Sequence, residues 1–202
     1  MGYERKQFER YLTKAEEKQL FDYVGKFSDV LARRDCAWMG LLRQTGIRVK
    51  PMSLFTVADA NEALSTRYFN IRSETNKNSQ EHKILATKKS IALLKELLII
   101  RVEMGYSGDE DQPLIMSRNH KGLSVRSFQD RMQYWRHASG LTCNASPHWF
   151  RHTLAKRIMA TSVSNNPLAV VQVALGHSSI TSSGVYTRPD KEDMALSMEA
   201  AS

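Results

Sequence analysis

Helix starts and stops punctuate this chain more strongly than any other local signal, and they limit it to a mainly helical fold. Thr13-Lys-Ala-Glu16 has the form of a capping box, in which threonine hydroxyl and glutamate carboxylate each cover a free helix donor. Ser146-Pro147 and Asn166-Pro167 each set a capping side chain before a proline. Proline suits the first helical position because the N–H it lacks would be unpaired there anyway. Gly46, Gly105 and Gly176 stand where apolar periodicity ends, as glycine does at helix C-termini.

Between these marks apolar residues recur at helical spacing. The first helix carries Leu20, Val24 and Phe27. A second begins after Ser28 and runs through Val30, Ala37, Trp38 and Leu41 to Gly46. Pro51 opens a short helical stretch that ends near Phe55. Lys88 to Met104 is a long helix with Ile91, Leu94, Leu98 and Val102 on one face. Ser124 to Gly140 is another, with Val125, Phe128, Met132 and Trp135 inward and Arg126, Arg131 and Arg136 elsewhere around it. The helix opened at Ser146-Pro147 runs to about Ala160, and that at Asn166-Pro167 stops at Leu175-Gly176. A last helical stretch leads to Tyr186 and is broken by Pro189.

One segment has a different texture. Tyr68, Phe69 and Ile71 are strand formers, and Ile84 and Leu85 follow a polar stretch, which together predict a β-hairpin with a long tip. The expected class is therefore mainly α with a small antiparallel β-sheet, an α+β fold.

A chain of 202 residues fits one domain with a short appendage, and 42% hydrophobic content suffices for a core. Lys and Arg outnumber Asp and Glu, 29 to 21, and the resulting +8 favours an anionic partner, with nucleic acid or a membrane surface leading. Cys36 and Cys143 form no C-x-x-C and read as reduced structural residues, with a bridge between them as the alternative. No apolar run approaches the ~18–20 residues that span a bilayer. The N-terminus shows no signal-peptide pattern, so the cytoplasm is expected.

The chemistry gathers in the last third. His148 and Arg151 are three residues apart and project from one helix face. A guanidinium holds two phosphate oxygens at once and stays charged, while an imidazole exchanges a proton near neutrality. A tyrosine, with a reference pKa of about 10, attacks only where a base or positive charge favours its phenolate. His148 and His152 with Cys143 nearby could instead be read as metal ligands. The zinc-protease pattern, however, needs glutamate where Trp149 stands, and spacing supplies no third ligand.

Three stretches carry a resemblance. T-G-I-R (45–48), H-W-F-R-H-T (148–153) and L-G-H-S-S-I-T-S-S-G-V-Y (175–186) resemble, in order, the catalytic boxes of the tyrosine recombinases, the phage-integrase family. The tyrosine lies nine residues after His177, as in that family. The resemblance covers roughly residues 13–190 and implies the recombinase catalytic-domain fold. It implies that Arg48 and Arg151 clamp a scissile phosphate and that His148 transfers a proton and contacts the phosphate. His177 would bond a phosphate oxygen, and Tyr186 would be the nucleophile forming a 3′-phosphotyrosyl link. A lysine at the hairpin tip would protonate the leaving 5′-oxygen; Lys77 is preferred, with Lys83 as the rival. No cofactor, ATP or obligatory metal is implied.

The partners implied are double-stranded DNA with a specific site, further protomers forming a tetramer on that DNA, and accessory DNA-bending proteins. Lys83, Arg118, Lys121 and Arg126 are candidates for contacting the DNA backbone. The expected organisation is an arm or linker at 1–12, the catalytic domain at 13–189, and a helical tail at 190–202, a candidate for exchange between protomers. Pro51 departs from the family, which usually has an acid three residues after the first arginine. With only about a dozen residues ahead of the catalytic domain, the chain is either a piece of a longer protein or similar to short recombinases that invert fimbrial promoter switches. A DNA-binding protein that kept the fold and lost turnover, and a type IB-like topoisomerase, are the alternatives.

Overall fold

The computed structural model describes residues 10–72, 82–106 and 108–176, with 194, 198, 199 and 201 of the tail. Helix α1 (Lys14–Val24) starts on the expected capping box, with both reciprocal bonds between Thr13 and Glu16 in place. It stops at Gly25, so Phe27 lies beyond the helix and is partly exposed rather than on its buried face. Helix α2 (Val30–Thr45) is capped by the Asp29 carboxylate and ends at Gly46 in the left-handed conformation. Helix α3 (Val49–Ser53) follows Arg48, and Pro51 sits at its third position, where a missing N–H costs no intrahelical bond.

Helix α4 (Val57–Thr66) is absent from the periodicity reading. Its own signal is a second capping box, with Thr56 and Asp59 in place of the usual glutamate. Strands β1 (Tyr68–Ile71) and β2 (His82–Leu85) pair antiparallel, Phe69 opposite Ile84 and Ile71 opposite His82. Phe69, Ile71 and Ile84 are buried, so this small sheet lays one face on the core.

Helix α5 (Lys88–Glu103) buries Ile91, Leu94, Leu97 and Ile100. The expected Val102 is largely exposed instead, because the contact with α2 turns the helix onto the stripe through Leu97 and Ile100. Helix α6 (Val125–Ala138) turns Phe128, Met132 and Trp135 inward, with Val125 only partly covered. Helix α7 (Trp149–Thr161) begins two residues later than Ser146-Pro147 predicts. The intervening turn is tight, Trp149 N–H donating to Ser146 C=O. Helix α8 (Pro167–Leu175) follows its expected Asn166 cap and ends at Gly176.

Helix α2 runs through the middle, packing on α5 along one side and α7 along another. Its Trp38, Met39, Leu41 and Leu42 are buried, and Trp38 meets Phe128 of α6 edge to face at 4.9 Å. One charge sits in this core. The Asp35 carboxylate, wholly buried, accepts from Arg34 and the Trp38 indole on one oxygen and from Arg131 and the Trp135 indole on the other. Four side chains donating to one carboxylate tie α2 to α6 and offset the cost of burying it.

Candidate active site

Helix α7 carries His148 at its cap and Arg151 one turn in, and three contacts fix where that helix lies. Glu17 of α1, itself buried, binds Arg43 of α2 through both oxygens at 2.9 and 3.0 Å and lies 3.6 Å from Arg157 of α7. Arg157 also donates to the Arg43 carbonyl. Thr153 accepts from the Leu12 amide, joining the entering chain to the same helix.

Arg151 is 4% exposed, and its guanidinium bridges two distant helix ends. Nη1 donates to the Gly46 carbonyl at 2.8 Å and Nη2 to the Leu175 carbonyl at 2.5 Å. Both carbonyls belong to helix C-termini, where backbone partial charge is negative and a cation is favoured. The close approach requires glycine at position 46: with φ at +65°, a Cβ there would lie 2.6 Å from Leu175 Cδ2. Arg48 follows Gly46 by two residues, and His177 follows Leu175 by two. One buried side chain thus holds the backbone that leads into both.

Arg48 is half-buried, with extended backbone before α3. Pro51, where the family pattern has an acid, is buried beside a small hollow lined by Phe55, Asp59, Asn70 and Arg72. The acid at that hollow, Asp59, is engaged by Thr56 and by Arg72 at 2.7 Å. Arg48 nonetheless stands near enough to two imidazoles to act on their protonation.

His148 lies at the surface, its ring edge-on to the His152 ring at 4.7 Å. Desolvation on its protein side pushes its pKa below the ordinary histidine value, and the charges of Arg151 and Arg48 add to the shift. His82, on β2, shows the same pattern: desolvation lowers its pKa, the Ala174 carbonyl opposes this, and Arg151 and Arg48 lower it further. Two guanidinium groups with the His148 imidazole beside them can hold a phosphodiester oxygen, with that imidazole able to accept or donate one proton.

Arg48, His148 and Arg151 thus come together. Lys77, His177 and Tyr186 lie outside the described residues. Lys83 is exposed on β2, on the strand face opposite His82. Arg118 and Lys121 are exposed on the turn closed by the Met116–Gly122 bridge, where the Ser117 amide donates to the Lys121 carbonyl. Arg126 is exposed and paired with Asp130 at 3.0 Å. Cys143 is buried, and among the described residues no three His, Cys, Asp or Glu side chains gather as metal ligands would. Sequence reasoning does not single out His82. It stands at the end of a polar stretch in no recognisable box, and its one signal is strand alternation, which turns it to the same face as buried Ile84.

A helical domain with a small sheet thus groups two arginines and a histidine at one place. The chain belongs to the phage integrase family, whose model matches residues 10–193. Tyrosine recombinase XerC of Proteus mirabilis is 28% identical over 173 residues, covering 86% of this chain and 53% of the relative. XerC of Shewanella amazonensis is 29% identical over 174 residues, covering 86% of this chain and 55% of its own length. The chain therefore spans about half the length of the curated relatives it matches. Among solved structures, XerA recombinase superposes with a TM-score of 0.75 at 20% identity, covering 95% of this chain and 64% of that one. XerH bound to its difH substrate gives 0.68 at 20% identity, covering 92% and 52%. These likenesses fix the fold as that of the recombinase catalytic domains. Among the described residues no helix is long and apolar enough to cross a membrane.

Proposed function

We propose that this domain is a site-specific DNA recombinase, cutting and rejoining one strand through a 3′-phosphotyrosyl intermediate on Tyr186. The observation that carries the reading is the grouping of Arg48, Arg151 and His148, in which desolvation and the charges of both arginines lower the pKa of one imidazole.

Arg48, Arg151 and His177 hold the non-bridging oxygens of the scissile phosphate and stabilise the charge that builds on them. The Tyr186 oxygen attacks phosphorus, and neutral His148 takes the phenolic proton. The P–O5′ bond breaks, and Lys77 supplies the proton that makes the 5′-hydroxyl. Rejoining reverses each step: a 5′-hydroxyl attacks the phosphotyrosine and the tyrosine oxygen leaves with a proton. The ester keeps the bond energy, so no ATP enters. Lys83, Arg118, Lys121 and Arg126 contact the backbone of the duplex, four protomers assemble on two sites, and accessory DNA-bending proteins assist. The working unit is residues 13–189, and the tail 190–202 packs on a neighbouring protomer. The reaction belongs in the cytoplasm, on nucleoid DNA.

The test is a nicked suicide duplex carrying a site selected from a random-sequence DNA pool. Wild type should yield a covalent protein–DNA adduct and Tyr186→Phe none; an adduct from Tyr186→Phe removes the assignment. Lys77→Ala should slow cleavage more than Lys83→Ala, and the opposite order would move the role to Lys83. Pro51 favours a second reading, a DNA-binding protein with the fold but no turnover, which wild-type binding without any adduct would establish. Relaxation of arbitrary plasmid DNA would indicate a topoisomerase.

A further inference from the structure

The hairpin and the end of α8 meet at one point, and the contact there is made by a histidine that none of the three family boxes contains. His82 opens β2, paired with Ile71, and lies on the inward strand face with Ile84. Its ring crowds Gly176: a Cβ added there would fall 2.5 Å from both Cγ and Cδ2 and 2.8 Å from Nδ1. Gly176 also has φ at +61°, so its own geometry and the ring both exclude a side chain. The ring's Nε2 stands 3.4 Å from the Ala174 carbonyl, a long hydrogen bond in which Nε2 carries the hydrogen and donates. Half-buried His82 therefore meets the last turn of α8 at two places, the Ala174 carbonyl and Gly176. Behind the same turn, Arg151 holds the neighbouring Leu175 carbonyl.

We propose that His82 is a positioning residue that locks the hairpin to the α8–Gly176 junction. The physical argument is connectivity. Gly176 is followed directly by His177, and Lys77 precedes His82 by five residues in the sequence. A contact between Gly176 and His82 fixes the described backbone from which the chain continues to each of them. It sets the phosphate-binding histidine and the leaving-group lysine relative to one another and to Arg151. The assignment of those two partners rests on the recombinase reading above; the lock itself rests on described atoms alone. Gly176 is selected here by a side chain from a different element as well as by its helix-ending conformation.

The test uses the full chain with His82→Ala, His82→Gln, Gly176→Ala and the double variant His82→Ala/Gly176→Ala. Glutamine can still offer an N–H near the Ala174 carbonyl. Without DNA, hydrogen exchange of the amides at 174–176 should speed up in His82→Ala and less in His82→Gln; unchanged protection in His82→Ala overturns the lock. With the selected suicide duplex at saturating protein, His82→Ala should cleave roughly 10- to 100-fold more slowly, the range that small misplacements produce. Its affinity for the same duplex should hold, and His82→Gln should recover part of the rate. Removing the ring should also let Gly176→Ala cleave faster than it does alone, a reciprocal effect that general destabilisation does not produce. A His82→Ala rate equal to wild type refutes the positioning role. If wild type forms no adduct, the recombinase reading fails while the exchange measurement still decides the lock.

Discussion

Replacing Arg151 by lysine should destabilise the protein even with no DNA present. The guanidinium serves two carbonyls at once, Gly46 through Nη1 and Leu175 through Nη2, while 4% exposed. Lysine keeps the charge but has a single nitrogen, so it cannot reproduce the planar fork that spans both helix ends. At least one carbonyl loses a charged donor. A hydrogen bond to a charged group contributes about 1.5–3 kcal/mol, and that is the expected loss. For a chain of this size each kcal/mol moves the melting temperature by about 2–4 °C, so Tm should fall by roughly 3–12 °C. Urea denaturation of wild type and Arg151→Lys, read by circular dichroism with the slope checked for constancy, gives the difference directly. A stability within about 0.5 kcal/mol of wild type, the range of ordinary surface substitutions, would refute the view that Arg151 pins α2 to α8. A catalytic defect in Arg151→Lys could then be assigned to phosphate binding alone.

Asp35→Ala should cost about 3–5 kcal/mol, because it strips the shared carboxylate from Arg34 and Arg131 and leaves buried positive charge uncompensated; the same urea titration measures it, and a loss below 1 kcal/mol would be contrary. His82 and His148 both have pKa values below the ordinary histidine value of about 6.5. The unfolded chain therefore binds more protons than the folded one between those lowered values and about 6.5, and stability rises with pH across that window. It should be complete above the window and lost as pH falls through it, and His82→Gln should flatten the slope; an unchanged slope would exclude His82 as a source. With His148 taking the phenolic proton, the acid limb of single-turnover cleavage should likewise fall below about 6.5, and a limb above that value would contradict the shift.

Much of the architecture is local and was therefore legible. Capping at Thr13, proline after Asn166 and the glycines at 46 and 176 act over a few residues, so their meaning survives without knowledge of the rest of the fold. Helix α4 escapes the periodicity although its Thr56–Asp59 box is of the same kind, since aspartate stands where glutamate is the usual mark. Helical spacing puts Val102 inward because it identifies a stripe but not which neighbour turns it; α2 makes that choice.

The sequence by itself determined the family, the helical class, the hairpin and the order of the boxes that hold Arg48, His148 and Arg151. Only the tertiary structure decided what those residues lean on. Arg151 reaches Gly46 across 105 positions, His82 reaches Ala174 across 92, and Asp35 gathers Trp135 across 100. Periodicity and capping report a residue's neighbours within a turn or two. Contacts of that sequence separation depend on how helices pack, and a guanidinium chooses its carbonyls only after two helix ends have been brought within its span.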